Sequence, residues 1–294
     1  MIPLSGRWDL SDSDGDYTLS VTFPGDIHTA LLEHGIIPDP FLARNELEVQ
    51  WVGARDWIAR RTFELEESEL EEYQVDVNGP VPGKPARQPA GGGDGAQARP
   101  AGDRLILAID TFDCVGRIEI NGHLVWQATN MFVPVRADIT DTLRVGANEI
   151  TVTLESAERF AAQRAESLPY PVPHTVYPVQ SMHRNLVRKV QCHSGWDWGP
   201  CLMVAGLYGT LEVRRESAPG VTSVRGVPEH TGGEKWRLPV LVEFDAAGAG
   251  ELPAGLAESL RARVLSPDGR EVAKATGAAI GGTPADEAGP HAAT

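Results

Sequence analysis

Ile118-Glu119-Ile120-Asn121-Gly122-His123-Leu124-Val125-Trp126 consists of two short alternating segments joined by Asn-Gly. Both central positions of a type I′ turn need positive φ, which Asn and Gly tolerate, so the stretch predicts an antiparallel hairpin with a two-residue connection. Working outward, Ile150-Thr151-Val152-Thr153-Leu154 alternates with period two. On the other side, Leu105-Ile106-Leu107-Ala108-Ile109 reads as another strand. Near the amino terminus, Leu4-Ser5-Gly6-Arg7-Trp8-Asp9-Leu10 and Tyr17-Thr18-Leu19-Ser20-Val21 are strand-like and split by an Asp/Ser/Gly turn. The predicted class is all-β.

Helical signals are few and short. Asp26 can cap a turn through Ile27, Leu31 and Leu32 that Gly35 ends, and Ser156 can cap an Ala-rich helix running to about Glu166. Residues 78–102 are dense in Gly, Pro, Ala and Gln, a composition that buries too little surface to offset the entropy of ordering. They are expected to form a disordered insert between two strands. Glu216-Ser217-Ala218-Pro219-Gly220 reads as a domain boundary, after which Leu241-Val242-Glu243-Phe244 and Ala262-Arg263-Val264-Leu265 are strand-like and Ser266-Pro267-Asp268-Gly269 is a turn.

The chain has 294 residues and a formal net charge of -15. That charge repels phosphate backbones and anionic lipid, so neither nucleic acid nor membrane is expected as a partner. No cationic apolar leader and no bilayer-length apolar run is visible, which predicts a soluble cytoplasmic protein. Cys114, Cys192 and Cys201 are odd in number and scattered, as befits reduced thiols rather than a disulfide framework. Neither cofactor nor metal is expected: Cys192, His193 and Cys201 lack the second close pair that structural zinc requires.

The chemistry concentrates in Gln191-Cys192-His193-Ser194-Gly195-Trp196-Asp197-Trp198-Gly199-Pro200. Indole faces pack on the C–H faces of a sugar ring, while a carboxylate accepts hydrogen bonds from its hydroxyls. The flanking glycines permit a tight turn and Pro200 interrupts regular pairing, which places Asp197 in a loop at the edge of a β scaffold. The other reading is a packed Trp-rich turn with Asp197 capping backbone amides. His174 and His183 flank the loop and could bond a sugar hydroxyl, or could be solvated. Arg188 and Lys189 read as a solvated or ion-paired strand edge, with Arg188 buried against Asp197 as the sharper alternative.

Arg188-Lys189 followed by the Gln191–Pro200 motif resembles a segment of the sugar-binding domain of β-mannosidases in glycoside hydrolase family two. The strand order around Asn121-Gly122, continuing through Asn130-Met131-Phe132-Val133-Pro134 and Leu143-Arg144-Val145-Gly146-Ala147-Asn148, is similar to the jelly roll that β-mannosidases share with β-galactosidases and β-glucuronidases. Trp51 to Trp57 and Arg60-Arg61-Thr62-Phe63 resemble the entry strands of that family, with both tryptophans read as core. The resemblance implies a galactose-binding-like jelly-roll β-sandwich over 1–215, then a partial immunoglobulin-like β-sandwich over 219–275 and a disordered tail over 276–294. It implies that Trp196 and Asp197, with Trp198 beside them, contact a terminal β-mannoside or manno-oligosaccharide inside a neighbouring catalytic barrel.

Family members use two glutamates about 5 Å apart on a (β/α)₈ barrel of about 250 residues. No such barrel is read here, and no catalytic residue is assigned. Asn45-Glu46 and Asn148-Glu149 are rejected as the acid/base because neither ends a parallel barrel strand, and both carboxylates are read as solvated charges. The isolated chain is expected to be inactive, with the barrel on a separate chain or the product truncated. A stand-alone carbohydrate-binding module is the alternative.

Overall fold

The computed structural model describes residues 1–66, 104–173, 182–216, 220–233, 235–245 and 259–277. The expected insert at 78–102, His174 and residues 278–294 of the expected tail lie outside these. The chain opens with β1 (Ile2–Pro3), β2 (Gly6–Asp12), β3 (Thr18–Phe23) and β4 (Gly25–Asp26), followed by α1 (Ile27–Glu33). Two single helical turns, α2 (Asn45–Glu48) and α3 (Trp51–Ala54), precede β5 (Trp57–Leu65). Then come β6 (Arg104–Asp113), β7 (Gly116–Ile120), β8 (His123–Ala128), β9 (Val135–Asp138) and β10 (Gly146–Leu154). After α4 (Ala157–Ser167), the chain forms β11 (Ser194–Trp196), β12 (Gly199–Cys201) and β13 (Gly206–Glu216).

These strands build the all-β sandwich that the sequence predicts. One sheet runs β1-β13-β6-β9, with β4 also on β13; the other runs β3-β2-β5-β10-β7-β8. Period-two alternation turns Trp8, Leu10, Phe63, Ile118 and Ile150 from one sheet and Leu107, Ile109, Leu207 and Leu211 from the other into a single buried cluster. Asn121 and Gly122 have φ of 51° and 80°, and Ile120 pairs with His123, so the Asn-Gly turn is the two-residue connection expected. Asn121 also donates to the Thr142 carbonyl and to Asn148 Oδ1, both at 2.8 Å, tying that turn to the start of β10.

Both expected caps form. Asp26 accepts the Thr29 amide at 2.9 Å, and the Ser156 hydroxyl accepts that of Arg159 at 3.2 Å. The Trp51 region departs from its expected strand. It closes one helical turn, which lets the Val52 carbonyl accept the Trp57 indole N–H at 3.1 Å and seats Gly53 where a Cβ would lie 2.7 Å from that of Met203. Trp57 is buried in the core, whereas Trp51 is half-buried and stacks on Tyr17.

The described residues beyond Glu216 belong to a second compact unit. Its described residues make three antiparallel strand pairs. In these, β14 (Gly220–Gly226) pairs with β17 (Val240–Asp245), β15 (Glu229–Gly232) with β16 (Lys235–Arg237), and β18 (Arg261–Leu265) with β19 (Glu271–Thr276). Gly269, at φ 83°, closes the last hairpin as its Ser-Pro-Asp-Gly turn requires.

Candidate functional site

Trp196-Asp197-Trp198 forms the tip of a small hairpin. Ser194 pairs with Cys201 and Trp196 with Gly199, leaving Asp197 and Trp198 as the two connecting residues. Gly195 sits at φ 94°, a conformation other residues rarely adopt, which lets the strand turn into the tip. The indoles are not packed away: Trp196 is 42% exposed and Trp198 78%, and Asp197 is exposed beside them. An open pair of indoles flanking a carboxylate offers apolar faces and a hydrogen-bond acceptor at one point.

So exposed a tip needs support from below. Arg184 donates to the carbonyls of Ser194 and Gly195 at 3.0 and 2.8 Å, holding the first strand. Glu46 accepts the Cys201 amide at 3.1 Å, and Gln50 donates to the Cys201 carbonyl at 2.7 Å, holding the second. The segment leading into the hairpin is fixed where Asn130 bridges Arg188 and the Met131 amide donates to the Arg188 carbonyl at 3.0 Å. Beneath it lies a separate apolar cluster of Cys114, Val115, Met131, Ala157, Ala161, Val187 and Met203.

The base of the loop is ionic and buried. Lys189, read from sequence as a strand edge, is almost fully enclosed and donates to Asp113 and, at 2.6 Å, to the Val204 carbonyl. His193 Nδ1 lies 3.2 Å from Asp113 Oδ2, but neither atom is aligned for a hydrogen bond. Burial, assisted by Lys189 and opposed by Asp26, lowers His28 to about 4, so its ring is neutral. Burial likewise pushes the Cys114 thiol up to about 12, and with Asp26 and Asp113 nearby it raises the Tyr208 phenol. None of these groups is poised for proton transfer near neutral pH.

Residues 8–79 and 95–209 match the family model for the glycosyl hydrolase 2 galactose-binding domain-like region. The chain belongs to that family. It is 31% identical over 209 residues to β-mannosidase B of Thermothelomyces thermophilus, covering 70% of this chain and 21% of the relative. It is 26% identical over 251 residues to the β-mannosidase of Mus musculus, covering 84% of this chain and 25% of the relative. The crystal structure of β-D-mannosidase from Dictyoglomus thermophilum superposes with a TM-score of 0.66 at 25% identity, covering 92% of this chain and 28% of that one. The chain therefore spans about a quarter of the length of the relatives it matches.

Within this galactose-binding-like domain the other sequence candidates take structural positions. Glu46 is not the solvated charge that its place beside a turn suggested, because it is bonded to Cys201. Asn148 is buried, with its amide donating to the Arg144 and Gly146 carbonyls at 2.8 and 2.9 Å. Arg188 is exposed rather than buried against Asp197, and His183 is half-buried. Among the described residues, the acidic group tight enough to bind a cation is Asp12, Asp14 and Asp16, at the end of β2 and in the turn after it. Arg55 already occupies it, 2.5 Å from Asp12 and 2.8 Å from Asp16. Burial raises the Asp12 carboxyl, but the Tyr17 amide and Arg55 outweigh it and hold the group below the usual carboxylate range. Held low and paired with Arg55, Asp12 is not the raised-pKa acid that a retaining glycosidase pair needs.

Proposed function

We propose that this chain supplies sugar-subsite residues of a β-mannosidase-like retaining glycoside hydrolase acting on terminal β-D-mannose, with Trp196, Asp197 and Trp198 meeting the sugar. One observation carries the reading: the motif stands on an exposed hairpin tip clamped on both strands by Arg184, Glu46 and Gln50. An exposed indole costs the fold nothing if it serves a ligand, and three clamps hold a geometry that a mere surface turn does not need. The three relatives described above are β-mannosidases, which supports mannoside as the substrate class. Acid and nucleophile are assigned to a catalytic barrel outside the residues described here.

Binding without an acid and a nucleophile does not lower the barrier to glycosidic cleavage. Purified chain is therefore expected to bind methyl β-D-mannoside without hydrolysing an aryl β-mannoside. Hydrolysis by the pure chain that is abolished by a carboxylate substitution within it contradicts this assignment. The openness of both indoles also suits a stand-alone carbohydrate-binding module. Activity gained by mixing the chain with a separately produced barrel separates that reading from the first.

A further inference from the structure

The hairpin tip is clamped at its strands, but its loop is closed at the base by one buried carboxylate. Asp113, the last residue of β6, is fully enclosed and directs its two oxygens at two residues of the same loop. Oδ1 receives the Lys189 ammonium, and Oδ2 faces His193 Nδ1 at 3.2 Å. Lys189 then reaches across to the Val204 carbonyl at 2.6 Å. Residues 189 and 204 bracket the hairpin on either side, so one ammonium joins the way in to the way out. The loop is thereby closed into a ring whose fixed point is a strand of the sandwich.

Burying an ammonium and a carboxylate carries a desolvation penalty that an apolar pair of similar volume would avoid. Asp113 Oδ2 and His193 Nδ1 lie buried at the same point, 3.2 Å apart, so three polar groups converge here. A polar arrangement this costly, at the root of an exposed functional tip, is explained by the geometry it imposes. We infer that Asp113, acting through Lys189, is a positioning residue that fixes the Trp196-Asp197-Trp198 hairpin for its sugar; the sugar half of this assignment rests on the function proposed above.

The test removes both charges together, because deleting one leaves the other buried and unpaired and unfolds the region for an unrelated reason. The full chain carrying Asp113→Asn with Lys189→Met is compared with the wild type by peptide-resolved hydrogen exchange and by titration with methyl β-D-mannoside. Exchange over residues 189–204 is expected to rise about tenfold or more, while strand peptides over 105–110 and 207–213 change by about twofold or less. Mannoside affinity is expected to fall by about fivefold or more. A general loss of stability would move the strand peptides as well, so a rise confined to the loop is the signature of positioning. Unchanged exchange over 189–204, or a rise shared equally by the strands, overturns the inference. Wild-type chain that binds no mannoside overturns the sugar reading alone, since the exchange comparison decides the role of Asp113 without any ligand.

Discussion

Glu46 and Cys201 stand 155 positions apart in the chain and meet at 3.1 Å, carboxylate to amide. Through that contact a helical turn near the amino terminus supports the second strand of the Trp-Asp-Trp hairpin, and Gln50 adds a second bond to the same residue. Glu46→Ala is expected to leave the sandwich folded and to weaken methyl β-D-mannoside binding by about tenfold, the loss of one charge-assisted hydrogen bond. Isothermal titration of the variant against wild type measures it, and unchanged affinity would show that the tip does not depend on this clamp.

The exposed indoles of the hairpin and the buried ones of the core should respond in opposite ways to truncation. Trp198→Ala removes a side chain that is 78% exposed, so its midpoint in thermal unfolding should shift by no more than about 2 °C while sugar binding is lost. Trp8→Ala opens a cavity where the ring is 1% exposed, and should cost about 3–5 kcal/mol in denaturant unfolding. Equal stability losses in the two variants would place Trp198 in the fold rather than at a ligand.

Acid should weaken the domain through His28. Its folded value of about 4 lies below the ordinary 6.5, chiefly because of burial, so between these values the unfolded chain binds the extra proton. Stability from this group is full above pH 6.5 and falls as pH drops toward 4, by about 3 kcal/mol in all. Urea unfolding at a series of pH values should show that slope, and His28→Phe should flatten it. A slope unchanged in His28→Phe would assign the acid sensitivity to other groups.

Gly116 has the least room for a side chain of the glycines among the described residues. Its φ is 149°, and a Cβ there would lie 1.9 Å from the Thr153 carbonyl oxygen in the neighbouring strand β10. Gly116→Ala must push β7 from β10 and is expected to cost about 3 kcal/mol or more, read as a fall in urea midpoint. A variant of wild-type stability would mean that the β7–β10 pairing yields more easily than close packing allows.

The pattern of local chemistry accounts for what was legible beforehand. Asn121-Gly122 specifies its own turn, Asp26 and Ser156 specify their caps, and the Gly195 to Pro200 spacing specifies a tight turn, because each depends on neighbours a few residues away. Trp51 was less legible, since a four-residue helical turn leaves too short a period to distinguish from an extended segment. The supports of the hairpin were not legible at all. Nothing near position 46 or 113 marks Glu46 as the partner of Cys201, or Asp113 as that of Lys189, and only the packing of the sheets brings them together. Glu46 therefore reads as an ordinary solvated charge until the fold is known, and Asp113 draws no reading of its own.

The most direct measurement is a titration of the ¹⁵N-labelled chain with methyl β-D-mannoside, following the indole N–H signals of its tryptophans. The signals of Trp196 and Trp198 are expected to shift with added mannoside and to stay still in Asp197→Ala, while those of buried Trp8 and Trp57 do not move. Shifts confined to other tryptophans, or shifts at Trp196 and Trp198 that survive Asp197→Ala unchanged, would contradict the assignment of this hairpin as the sugar site.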